Sequence, residues 1–395
     1  MEKTAGEPAG KIRLKEITLE NAACFDKITI PFGENITVLT GTNGTGKTTV
    51  LNAIVGMFTL GIRIPFVPGK DTQIYQDEHL KEIINKQSRL FPLSRIDDST
   101  IIKLEINICD KNFINKVDLR KRKYLTEQPV GDILVDFRYP EVLLPIGTNR
   151  IIVDKPILGP LSLKGNEQGR ELEQGMELIR LIGSSLGFSI MDFKQWLVNQ
   201  DYLDLQAKQK GSRNKALDYF RENLAKIMPP EQSITLKEIV DMEPVFSTRT
   251  GDVPIGALSS GFQSVLSIYW NILYNLLNLY PQSENPFLEN AVAVIDEVDA
   301  HLHPEWQQII VHSLRTLFPN VQFIMATHSP LVVSGCGKNE AVFLKYDDEN
   351  KCVVIDKDAP ENPKGWLVES LLTGPFNLKT ARGADVNATE LVKFT

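Results

Sequence analysis

The chain has 395 residues, 42% of them apolar and 24% charged, a balance that excludes wholesale disorder and supplies a core large enough to need no staples. Its 50 acidic and 43 basic side chains leave a net charge of −7, which argues against a protein that coats nucleic acid over its whole surface. The four cysteines (Cys24, Cys109, Cys336, Cys352) are scattered without a CxxC and read as reduced thiols of a cytoplasmic protein, neither a disulfide framework nor a zinc knuckle.

The first ten residues, MEKTAGEPAG, are polar and lack the apolar core of a signal segment. Residues 11–40 then alternate apolar and polar between Pro, Gly and Asn turns, which predicts antiparallel strands. The last of these, Ile36–Thr40, runs into a Gly-rich turn and a helix from about Lys47. Residues 61–100 read as loops with a short helix. The segments 101–109 and 114–125 read as the two strands of a hairpin, and further strands are expected within 132–153. Between 165 and 228 the apolar spacing turns helical, enough for about three helices, with no heptad long enough for an extended coiled coil. Beyond 233 strands and helices alternate. They comprise a strand-rich stretch at 238–247, a helix over 260–280, a strand Ala291–Ile295, a helix Pro304–Phe318, a strand Val321–Ala326, a hairpin over 341–356 and a short helix at 365–372. The stretch Ile268–Tyr280 is the most apolar, but its three Asn and its length make it a buried helix and not a membrane span. The expected fold class is therefore α/β, a mixed central sheet with an antiparallel β lobe and a helical insertion. The expected units are 1–155, 156–235 and 236–395.

Gly41-Thr-Asn-Gly-Thr-Gly46-Lys47-Thr48 fits the pattern G-x-x-x-x-G-K-[ST], with an apolar strand before it and a helix after it. Such glycines let successive N–H groups turn toward phosphate oxygens, and the helix that follows adds its positive end. Lys47 is then expected to reach the β- and γ-phosphates and Thr48 to offer its hydroxyl to Mg²⁺. The strand Ala291–Ile295 ends in Asp296 and Glu297, one carboxylate to hold the metal ion and one to orient water. Leu258-Ser259-Ser260-Gly261-Phe262-Gln263 precedes a long helix that Ser259 is expected to cap; alone it reads as a plain helix start. His328 follows a second apolar strand, where an imidazole can meet a γ-phosphate.

The order phosphate loop, LSSGFQ, VIDEVDAHLHP, ATHSP resembles the ABC-type ATPase heads of the SMC, RecF and OLD kind. More narrowly it resembles the bacterial "AAA family" ATPases of anti-phage systems, such as Septu PtuA and its retron-associated relatives. The resemblance implies an ABC-type P-loop head using ATP and Mg²⁺. Gly41, Thr42, Asn43, Gly44, Thr45, Gly46, Lys47, Thr48 and Thr49 would form Walker A, and Asp296 would join Thr48 on the metal ion. Glu297 would be the catalytic glutamate, Asp299 the D-loop acid facing the opposite subunit and His328 the switch histidine. Ser259, Ser260, Gly261 and Gln263 would reach in trans to the nucleotide of a second copy. Compared with the usual LSGGQ, Ser260 replaces the first Gly and Phe262 separates Gly261 from Gln263. No motif places the Q-loop glutamine; Gln73, Gln76 and Gln128 are the candidates.

The implied partners are a second copy, or a higher homo-oligomer, joined through an ATP sandwich, a separate effector such as a nuclease, and a retron or other nucleic acid; no membrane is involved. A RecF-like ATPase gripping duplex DNA and a nucleotide-gated scaffold with negligible turnover are the alternatives. The basic run Leu119–Lys123 reads either as a phosphate contact or, preferably, as a charge-guarded hairpin edge. His301, His303 and His312 lack the company of a closed zinc site. The acids at 347–349, 356 and 358 read as solvated, and the stretch after His328 is too short for the TOPRIM domain of the OLD nucleases.

Overall fold

In the computed structural model, which describes residues 11–63, 73–75, 100–108, 111–118, 123–126, 143–148, 150, 157, 159 and 191–376, the chain builds three sheets. Strands β1 (Ile12–Ala22) and β2 (Phe25–Pro31) form an antiparallel pair in which inward Ile, Leu and Phe alternate with exposed polar residues. β3 (Ile36–Gly41) is buried on both faces and leaves this sheet for another. It runs through the phosphate loop into α1 (Lys47–Arg63). β4 (Gln73–Tyr75), β5 (Ile101–Ile108), β6 (Lys111–Asp118) and β7 (Lys123–Thr126) return to the first sheet, giving the order β2-β1-β5-β6-β7-β4. The single strand expected at 114–125 is thus two. The chain reverses after Asp118, and β7 pairs back on β6 with Lys123 opposite Asp118. Leu119–Arg122 lie outside the described residues, as do Cys109, the helical stretch expected before 191 and the strand expected around 134–137.

β8 (Leu143–Ile146) precedes two helices, α2 (Met191–Gln209) and α3 (Lys215–Leu224). A small sheet follows, formed by β9 (Thr235–Val240), β10 (Glu243–Thr248) and β11 (Gly251–Pro254). The long helix α4 (Ser260–Leu279) is buried along most of its length. Then come β12 (Ala291–Ile295), α5 (Pro304–Leu317), β13 (Val321–Thr327) and the short α6 (Pro330–Ser334). The hairpin β14 (Ala341–Asp347) and β15 (Cys352–Ile355) and a last turn of helix, α7 (Val368–Thr373), complete the described chain.

The main sheet has the order β15-β14-β3-β13-β12-β8. Its strands from β14 to β8 are parallel, and β15 is an antiparallel edge. Parallel strands covered on both faces need continuous apolar runs, which Ala291–Ile295 and Phe323–Ala326 supply. Gln322 fixes the first sheet against this one. Its fully buried amide exchanges two hydrogen bonds with the backbone of Leu14 (2.7 and 2.9 Å) and donates a third to Gly33 (2.8 Å). Loss of that amide would strand three buried backbone groups at about 1 kcal/mol or more each. The helices α2 and α3 join the same core as the sheets. Phe193 and Phe220 lie 5.2 and 5.4 Å, ring centre to ring centre, from Trp270 and Tyr269 of α4. The helical stretch therefore supports the head directly.

Candidate functional site

The phosphate loop is shaped by its neighbours as well as its glycines. Gly41 has φ +148, and a Cβ there would stand 2.2 Å from the Leu344 carbonyl oxygen on β14. Gly46 has φ +80, and a Cβ there would strike the Phe25 ring at 2.5 Å and the Cys24 sulfur at 2.7 Å. The β1–β2 corner thus floors the loop and demands glycine on both steric and conformational grounds. Thr42, Asn43 and Gly44 form the exposed tip, while Thr45 turns inward and donates to the Thr42 carbonyl at 2.9 Å. Thr49 sits half-buried in the first turn of α1.

Lys47 is folded over its own loop. Its Nζ donates to the carbonyls of Gly41 and Thr42, both at 2.9 Å, and to Thr45 Oγ1 at 3.4 Å. Burial lowers its pKa to about 8, against the opposing pull of Asp296, Asp299 and Glu297. The ammonium is thus held by neutral acceptors that an anion can replace.

Next to the loop, β12 ends at Asp296. Thr48 Oγ1 donates to both carboxylate oxygens, at 3.0 and 3.2 Å. Asp296 is buried, which raises its pKa, while the Thr48 hydroxyl and the Glu297 amide counter that shift. A hydroxyl and a desolvated carboxylate on adjacent elements form a hard, all-oxygen donor set suited to Mg²⁺. Glu297 follows with φ +44, a left-handed conformation uncommon for this residue, and its side chain is exposed at the sheet end. The turn is tied to β13, because the Val298 amide donates to the Ala326 carbonyl at 2.9 Å.

β13 delivers His328 to the same place. Its imidazole is half-buried, and burial lowers its pKa, with the Lys47 ammonium adding to the shift and Asp299, Glu297 and Asp296 opposing it. Asp299 lies within its own chain's site. It accepts from Thr327 Oγ1 and from the His328 amide at 3.4 Å. The fold therefore brings Lys47, Thr48, Asp296, Glu297, Asp299 and His328 together from three separate stretches of sequence.

The turn at 258–263 contacts a different segment. Ser259 occupies the N-cap position of α4, but its side chain makes no capping hydrogen bond, contrary to the expected cap. Ser259 and Ser260 are exposed and Gly261 is half-buried. A Cβ on Gly261 would approach the His301 carbonyl at 3.1 Å, and Phe262 meets Trp306 of α5 edge-on at 4.9 Å. Gln263 points inward, with its Nε2 donating to the Leu258 carbonyl at 2.8 Å. Phe262, an intruder in the usual motif, is thus the anchor of the turn on α5. His301, His303 and His312 are exposed, and among the described residues no group of three or more His, Cys, Asp or Glu side chains could hold a metal ion.

Of the three glutamines considered for the Q-loop, Gln73 lies on β4, at the far edge of the other sheet, and Gln76 and Gln128 lie outside the described residues. The strand beside β12 is β8, and the Asp296 amide donates to the Ile146 carbonyl on it at 2.9 Å. β8 leads to Arg150, which sequence reasoning missed. Its guanidinium is buried beneath the Asp296–Val298 turn.

Residues 36–334 match the family described as "AAA domain, putative AbiEii toxin, Type IV TA system". Among curated proteins, "Retron Vc95 probable ATPase" of Vibrio cholerae serotype O1 biovar El Tor is 24% identical over 82% of this chain and 72% of its own length. "Septu protein PtuA" of Bacillus thuringiensis is 23% identical over 93% of this chain and 85% of its own. Among solved structures, the Smc head domain of Pyrococcus furiosus bound to the C-terminal domain of ScpA overlaps 87% of this chain and 96% of that one at 15% identity, with a TM-score of 0.48.

Proposed function

Because the chain belongs to the family described as "AAA domain, putative AbiEii toxin, Type IV TA system", we propose that it is a cytoplasmic Mg²⁺-dependent ATPase of a bacterial anti-phage system, pairing through ATP and governing a separate effector. The observation that carries the ATPase reading is the Thr48–Asp296 contact, which joins the phosphate loop to the acidic end of the neighbouring strand. Around it, Gly41 to Thr49 cradle the phosphates, with Lys47 turning from its loop carbonyls to the β- and γ-oxygens. Thr48 and Asp296, directly or through its water, would hold Mg²⁺, which when bound would relieve the charge on the phosphates. Glu297 orients the attacking water, and His328 contacts the γ-phosphate. Asp299 sets the His328 loop from within the same chain.

Pairing is supported by the exposed Ser259 and Ser260, which lead the first turn of α4 and offer hydroxyls and free N–H groups outward. In this reading they close on the nucleotide of a second copy, so ATP holds two heads together and hydrolysis releases them. The anti-phage setting, with an effector such as a nuclease and a retron or other nucleic acid nearby, is supported by relatives whose names place them in Septu and retron systems.

The test is Mg²⁺-dependent phosphate release by the purified chain, followed alongside its mass in solution with ATP. Turnover that needs Mg²⁺ and stops in Glu297→Gln, with a doubling of mass on ATP, is the expected result. ATP binding without turnover would favour a nucleotide-gated scaffold, and a strict monomer with ATP would remove the sandwich.

A further inference from the structure

Arg150 is 1% exposed, a rare place for a guanidinium. Its Nε donates to the Gly147 carbonyl at 2.7 Å and its Nη2 to the Asp296 carbonyl. Nη1 reaches the Val298 carbonyl and Ser264 Oγ, each at 3.4 Å. Ser264, on α4, passes its own proton to the Ala300 carbonyl at 3.0 Å. Two of the carbonyls bracket Glu297, the residue held at φ +44. A strained turn persists only where its surroundings over-determine it, and here a single planar fork holds both flanks.

We propose that Arg150 is a positioning residue for hydrolysis, clamping the carbonyls on either side of Glu297 and tying that turn to the first turns of α4. The proposal rests on the ATPase reading above. Arg150 touches neither phosphate nor water; it acts through Glu297. Burial depresses its pKa only to about 10, so the fork stays charged at neutral pH. An ammonium can meet one of the bracketing carbonyls but cannot span both in one plane.

The test is a kinetic cycle. Arg150→Lys is expected to lower kcat about 10- to 100-fold, the size of effect that a small misplacement of a catalytic group produces. Its KM and its affinity for ATP should change by less than about 3-fold. Added to Glu297→Gln, it should leave the residual rate unchanged, because the group it positions is already gone. An unchanged kcat, or an equal loss in both backgrounds, would overturn the proposal. Ser264→Ala, which removes one partner and no charge, serves if Arg150→Lys does not fold, and should show a smaller loss of kcat confined to the Glu297 background. If the unmodified chain hydrolyses nothing, the ATPase reading falls separately. Amide exchange then decides on Arg150: faster exchange over 296–300 with unchanged exchange over 41–48 supports the clamp, and unchanged exchange over 296–300 overturns it.

Discussion

The hydroxyl of Thr48 bonds both carboxylate oxygens of Asp296, joining residues 248 positions apart at 3.0 and 3.2 Å. In the proposed function a metal ion would take one oxygen from each. Thr48→Ala should therefore weaken ATP binding at least about 10-fold in Mg²⁺ and by little in a chelator, since only one metal donor is lost. Titration of a fluorescent nucleotide under both conditions checks it; equal losses would mean that Thr48 serves the loop's shape and not the ion.

Lys47 supplies a second prediction, with a sign. Its pKa in the folded chain is about 8, below its ordinary value, because burial outweighs three nearby carboxylates. Phosphate requires the charged form. Binding above that pKa must therefore take up a proton, and affinity should fall as pH rises through it. Calorimetry in buffers of different ionisation enthalpy should register uptake of about three quarters of a proton at about pH 8.5. Lys47→Arg, protonated throughout, should register less. Lys47→Ala should lose binding by about 100-fold, the cost of two charge-assisted contacts.

Glu297 is exposed at the sheet end while Asp296 beside it is buried. In the proposed function Asp296 is the metal-side acid and Glu297 the one that meets water. Glu297→Gln should keep nucleotide affinity and slow single-turnover hydrolysis by about 10²- to 10⁴-fold, the usual span for a lost general base. Normal turnover would reassign the water to another group.

Gly46→Ala should fail for two reasons at once. The backbone is at φ +80, and the new methyl would overlap Phe25 and Cys24. Loss of ATP binding together with a lower melting temperature is expected. The double variant Gly46→Ala, Phe25→Ala should recover none of the binding, because it relieves only the overlap with Phe25 and leaves the Cys24 sulfur and the strained φ.

The contact between Phe262 and Trp306 gives a prediction about the turn at 258–263. Trp306 also donates to Gln232 Oε1 at 2.6 Å, so it is held from two sides. Phe262→Ala should cost about 1–3 kcal/mol of stability. ATP-driven pairing should weaken while binding to the isolated head stays unchanged, as read by sedimentation against titration.

Much of this was legible in the sequence wherever local rules decide. The phosphate loop declares itself because Gly41, Gly46 and Lys47 recur at a spacing that the chemistry fixes. Ala291–Ile295 and Phe323–Ala326 declare themselves because parallel strands need unbroken apolar runs. The split of 114–125 into two strands was not legible, since the run INKVDLRKRKYL keeps its β character across the reversal. Arg150 was invisible for a different reason. Its meaning depends on β8 lying beside β12, a pairing across almost 150 residues that no local pattern encodes. The cap expected of Ser259 is not made and the residue is exposed, while Phe262 packs that turn on Trp306.

The position of β3 in the main sheet has a consequence for synthesis. Its two neighbours are β13 and β14, so residues 36–41 find no partner until residues 321–347 have been made. The Leu344 carbonyl against Gly41 belongs to that late strand. A growing chain therefore carries β3, the apolar strand that enters the phosphate loop, unpaired until those residues have been made, and such segments are exposed to aggregation. The shape of the loop at Gly41 is therefore completed only after β14 has docked.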